Sequence, residues 1–142
     1  MNNMTMTQAT KIGEIKREWH HIDVNEKTLG RVASEIAQLL MGKSKANFVR
    51  NLDCGDYVVV TNAAKVAVTG KKEEKKTYAR HSMYPGGFKS ETLKELRARK
   101  PEDVIRHAVK GMLPQNKLRD KMLKRLFVFI GEEHTYQDKF QK

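Results

Sequence analysis

A single cysteine, Cys54, leaves this chain without an internal disulfide framework; one thiol fits a reducing compartment and reads as a half-buried small residue. Long apolar runs are also missing. The longest, Leu126 to Ile130, is too short to span or anchor in a bilayer, so no membrane partner is expected. Residues Met1 to Thr10 lack the charged start and apolar stretch of a secretory signal, which predicts a cytoplasmic location. No internal repeat is present. The largest shortage is of acid: 17 Asp and Glu stand against 28 Lys and Arg in 142 residues, a net charge of +11. Solubility alone does not require such a field, and its natural complement is a polyanion. With a membrane surface disfavoured, nucleic acid is the better partner.

The length suits one domain, and the periodicities outline it. A tail through residue 15, a domain over 16–134 and a C-terminal tail over 135–142 are expected. Trp19 to Val24 reads as a first strand. Thr28 can cap a helix whose Val32, Ile36, Leu39 and Leu40 form one apolar stripe ending near Gly42. Asp53-Cys54-Gly55-Asp56 is a polar turn before Tyr57 to Thr61, a β-branched run typical of a central parallel strand. Val66 to Thr69 alternates less clearly, Lys71 to Lys76 reads as a solvated turn, and Thr77 to His81 as another strand. Leu93 and Leu96 mark a short helix. Pro101-Glu102-Asp103 starts the next, with Val104, Ala108, Val109 and Met112 inward. Lys117 to Arg125 forms a third helix with Leu118 and Met122 inward, and Leu126 to Ile130 a last strand. This order predicts a three-layer α/β/α fold with a mainly parallel sheet.

Catalytic patterns are lacking. Gly42-Lys43-Ser44 resembles the end of a phosphate-binding loop, but Ala37 stands where that loop needs glycine, and the lysine follows a helix instead of preceding one. Lys43 reads equally as a backbone-phosphate contact or a charge at a helix C-terminus. His20, His21, His81, His107 and His134 show no paired ligand spacing, so neither a metal nor a cofactor is expected. Ser82 adjoins His81, yet strand neighbours face opposite ways and no nucleophile elbow accompanies them.

Two cationic concentrations remain. Tyr78 to Lys89 combines cations, aromatic rings and a double glycine: Arg80 and Lys89 suit phosphates, Tyr84 or His81 a stacked base or ribose hydroxyl, and Gly86-Gly87 a close backbone approach. From Arg106 to Arg125 the basic residues Arg106, Lys110, Lys117, Arg119, Lys121, Lys124 and Arg125 face the single acid Asp120. A solvated helix usually mixes signs, so this imbalance points to phosphate contact.

Across roughly Trp19 to His134 the chain resembles the L-thirteen family of bacterial large-subunit ribosomal proteins. The motifs are Thr28-Leu29-Gly30-Arg31, Gly42-Lys43, Asp53-x-Gly55-Asp56 before Val58-Val59-Val60, Val68-Thr69-Gly70-Lys71, His81-Ser82-x-Tyr84-Pro85-Gly86-Gly87, and Ala108-Val109-Lys110-Gly111-Met112-Leu113-Pro114. The resemblance implies a four-stranded parallel sheet between helices. It also implies binding to large-subunit ribosomal RNA, a place beside neighbouring large-subunit proteins, support of early subunit assembly and no enzymatic activity; messenger RNA and translational repression are associated with some relatives. Departures occur at Arg50, where the family often has proline, and near Asn116 and Arg119, where it often has glycine. The expected RNA contacts are Arg31, Lys43, Lys45, Arg50, Arg80, His81, Ser82, Tyr84, Gly86, Gly87, Lys89, Lys110, Lys117, Arg119, Lys121, Lys124 and Arg125. The rivals are a free messenger RNA-binding repressor and a small nucleotide-dependent or RNA-modifying enzyme.

Overall fold

The structure, a computed structural model, describes residues 8–141; of the expected N-terminal tail, residues 1–7 lie outside the described part. Strands β1 (Trp19–Asp23), β2 (Tyr57–Thr61) and β5 (Leu126–Val128) form a parallel sheet with β2 in the middle. Trp19 pairs with Tyr57, and Val58 with Leu126. The unbroken Val58-Val59-Val60 run is fully buried because both sheet faces are covered there.

Helix α1 (Leu29–Met41) buries Val32, Ala33, Ile36, Ala37 and Leu40. Thr28 occupies its N-cap position in extended backbone without a side-chain cap bond. The stop is more specific. Gly42 takes a left-handed φ of 75° and its N–H bonds back to Gln38 and Leu39, while a Cβ there would lie 2.4 Å from the Cys54 carbonyl oxygen. Cys54 is thus fully buried against this turn.

Between β2 and β5 lie α2 (Lys72–Lys75), a hairpin of β3 (Thr77–His81) and β4 (Phe88–Thr92), then α3 (Leu93–Arg99), α4 (Pro101–Met112) and α5 (Arg119–Leu123). A reciprocal capping box starts α3: Glu95 N–H donates to the Thr92 hydroxyl and Thr92 N–H to the Glu95 carboxylate. Helix α4 begins on Pro101 and buries Val104, Ile105 and Val109, whereas Met112, expected inward, is 42% exposed. The stripe turns away from Met112 because Leu113, just past the helix end, fills the core there.

Two features of the expected sheet differ. It has three strands among the described residues, not four: the Val66 to Thr69 segment contributes only one parallel bridge, Thr28 with Ala67. And while α1 and α4 pack together with Ile22, Val58, Val60, Leu126 and Val128 in one core, aromatic rings line the other face. There Trp19 stacks on Tyr57 at 4.5 Å and on Phe127 at 5.9 Å, and Tyr136 and Phe140 of the C-terminal segment close over them. An aromatic strap therefore stands where a second helix layer was expected.

Candidate nucleic-acid interface

The polar turn before β2 is a hub of charge. Both nitrogens of the Arg125 guanidinium fork meet the two Asp53 oxygens at 2.5 Å, and the same side chain donates to the carbonyls of Asp56, Leu40 and Lys121. Lys45 Nζ reaches Asp56 Oδ1 at 2.5 Å and the carbonyls of Lys16 and Cys54; His20 meets the other Asp56 oxygen at 3.0 Å. Burial pushes both carboxyls up. Around Asp53, Arg125, Arg17 and the Gly55 N–H outweigh burial, and around Asp56, Lys45, the Glu18 N–H and His20 do so, holding both groups below the ordinary carboxylate range. Gly55 permits this convergence, since a Cβ there would lie 1.6 Å from the Leu40 carbonyl oxygen. Arg125, only 7% exposed, is therefore a clamp joining α1, the turn before β2 and α5, with its guanidinium bonds already taken up inside the protein. Lys45, partly buried, likewise has its ammonium group engaged by Asp56 and two carbonyls. Charge counted along the sequence placed both outside because their carboxylate partners are 72 and 11 residues away in the chain.

The β3–β4 hairpin is the opposite case. Arg80, His81, Ser82, Tyr84, Gly86, Gly87 and Lys89 all lie on it, with Arg80 paired to Lys89 and His81 to Phe88. Nearly all of its residues beyond Tyr78 are exposed. Met83, at φ 67°, and Gly86, at φ 71°, turn the chain, and Gly87 exchanges backbone bonds with Ser82 and Tyr84. A Cβ at Gly87 would sit 2.0 Å from the Ser82 hydroxyl. The His81 Nδ1 accepts from the Met83 N–H, leaving its other ring nitrogen free to meet a ligand. At the root, Tyr78 packs on His107 of α4, and Arg97 ties Glu73 to the Val66 carbonyl. The hairpin is thus held at its base and presents its tip to solvent.

A third grouping joins segments distant in sequence. Lys43, after α1, and Arg50, in the loop to β2, share a recess with Asn116, which precedes α5. Lys121 lines a neighbouring recess with Ile12, Ile15 and Leu118, while Lys110 lines one with Arg106, His107 and Leu123. Among the described residues, Lys43, Arg50, Lys110, Lys117, Arg119, Lys121 and Lys124 have no carboxylate partner. Arg31 is exposed in the first turn of α1, apart from this grouping. No set of three or more His, Cys, Asp or Glu side chains among the described residues is placed to hold a metal ion.

The family description "ribosomal protein L13" matches residues 17–135. The chain belongs to the ribosomal protein L13 family. Among curated relatives, the large ribosomal subunit protein uL13 of Dehalococcoides mccartyi is 55% identical over 130 residues, 92% of this chain and 91% of that protein. The protein of the same name in Aquifex aeolicus is 53% identical, covering 92% and 91%, and that of Geobacillus kaustophilus 51% identical, covering 94% and 92%.

Within this L13-family chain the motifs divide by role. Asp53-x-Gly55-Asp56 builds the interior clamp, while His81 to Gly87 forms the exposed turn and Lys110 to Pro114 ends α4. The departures at Arg50 and Asn116 both fall on one recess. Met83, in the turn, and Phe88, beside it, are 88% and 64% exposed and were not among the expected contacts. Their apolar character was the available signal, since large side chains so exposed on a hairpin without its own core invite a covering partner.

Proposed function

We propose that this chain acts in the large ribosomal subunit as a structural RNA-binding protein, neutralising phosphates of the large-subunit ribosomal RNA and fixing its folded segments, with a role early in subunit assembly. It works by binding, in the cytoplasm, beside other large-subunit proteins, and performs no reaction of its own. Beyond family membership, one observation supports this reading: cations that have no carboxylate partner among the described residues stand on the hairpin and around the end of α1 and the α4–α5 connection, outside the core. Like charges left on a surface repel, so the arrangement is stable only at a cost that a polyanion offsets. Arrangement on loops and helix ends favours recognition of RNA shape over base sequence.

The test is sedimentation with large subunits combined with salt-dependent affinity for large-subunit ribosomal RNA. With about seven phosphates engaged, log affinity falls against log salt with a slope of roughly −5 to −6. A nearly salt-independent affinity would contradict the reading. Specific messenger RNA binding at physiological salt, without subunit association, would favour a free repressor. Stabilisation by a nucleotide or methyl donor without co-sedimentation would favour an enzyme.

A further inference from the structure

Where α1 ends, a recess of about 330 Å³ opens between the loop to β2 and the segment leading into α5. Met41, Phe48, Leu52, Pro114 and Met122 make its apolar wall, and Lys43, Arg50 and Asn116 complete the lining. Among the described residues, no acidic side chain takes part. Lys43 and Arg50 are exposed and, among the described residues, have no carboxylate partner. The Asn116 carbonyl oxygen accepts the Leu118 N–H at 3.0 Å, which orients the carboxamide and leaves its NH2 as a donor.

These features select an occupant. An apolar side chain of another protein would fill the recess but leave both cations and the amide donors unanswered. A double-helical stretch of RNA would answer the cations yet leave the apolar wall wet. An RNA strand with one base turned out of its stack supplies both: a flat ring for the Phe48 face and the methionine side chains, carbonyl acceptors on the base edge for Asn116, and flanking phosphates for Lys43 and Arg50. We propose that this recess is a receptor for a single unstacked nucleobase of the bound RNA. The proposal rests on the ribosomal RNA-binding reading and adds a defined base site to it.

The test uses the full chain and large-subunit ribosomal RNA, measuring affinity, its salt slope and base-specific chemical footprints. Phe48→Leu keeps an apolar side chain but removes the stacking face, so affinity is expected to fall about tenfold. The salt slope stays as it was, because no phosphate contact is lost. Protection of one unpaired base, seen with the unaltered chain, disappears. Asn116→Asp is the second variant: it keeps an acceptor for the Leu118 N–H but exchanges the donor for an anion, and it should lose the same protected base. Replacing Lys43 and Arg50 together by Gln instead reduces the slope by roughly 1.5 to 2. Unchanged affinity and footprint in thermally stable Phe48→Leu and Asn116→Asp proteins would overturn the base site while leaving the RNA-binding reading intact, as would a native footprint without a protected unpaired base. Failure of the unaltered chain to bind the RNA would overturn both.

Discussion

Arg125 and Lys124 are adjacent cations with opposite fates. Lys124 is exposed, whereas Arg125 is held by five hydrogen bonds to Asp53, Asp56, Leu40 and Lys121. Truncating one partner of a buried ion pair strands the other, so Arg125→Ala is expected to destabilise the fold by on the order of 3–5 kcal/mol, read as a lowered urea midpoint. Replacing Lys121 and Lys124 together by Glu should leave stability within about 1 kcal/mol but impair incorporation into large subunits. Equal stability losses in the two proteins would show that the clamp is not structural. Gly55→Ala tests the same hub from the backbone: with the Leu40 carbonyl in the way, it should destabilise by at least about 2 kcal/mol in the same titration.

The hairpin and the helices behave differently as elements. Helix α1 was readable because its stripe repeats at helical spacing and ends in a glycine that must be left-handed. Strand β4 was not. Its residues Phe88, Lys89 and Ser90 are exposed and carry no alternation of apolar and polar, so the pairing of Thr77 with Thr92 through His81 with Phe88 left no imprint on composition. A two-stranded ribbon without a core of its own is marginal beyond its anchored root. Amides around Met83 to Gly87 are therefore expected to exchange rapidly in the free chain and to slow when large-subunit RNA binds, while those of β2 stay protected throughout. Slow exchange at the tip in the free chain would argue against a surface completed by RNA.

Acid acts on the whole molecule in part through this hub. Asp53 and Asp56 have folded pKa values lowered below the ordinary one, because their cationic and N–H partners outweigh the opposing effect of burial. The unfolded chain therefore takes up protons first as pH falls. The stability they contribute is fully present above the unfolded value, near 3.9, and is lost as pH drops through the lower folded values. Acid titration of unfolding should show this loss, and Arg125→Ala should flatten it by removing the main partner of Asp53. His21 adds a contribution of the same sign: burial, then the neighbouring His134, lower its pKa against the pull of Asp23, so stability should soften below about pH 6.5.

Much was settled by sequence alone. Net charge fixed the polyanionic class of partner, since no fold can cancel an excess of +11. Apolar and β-branched runs located β1 and β2, and helical spacing located α1 and α4, since apolar spacing decides which face of a helix can be buried. Tertiary structure decided which cations are free. Arg125 and Lys45 point inward because β2, α1 and α5 bring Asp53 and Asp56 to them, and Lys43, Arg50 and Asn116 meet because two loops fold against α5. It also placed Tyr136 and Phe140 on Trp19, where a C-terminal tail had been expected. Pairing between distant segments has no period to read: whether a charge meets solvent or a carboxylate depends on the path of the chain in space.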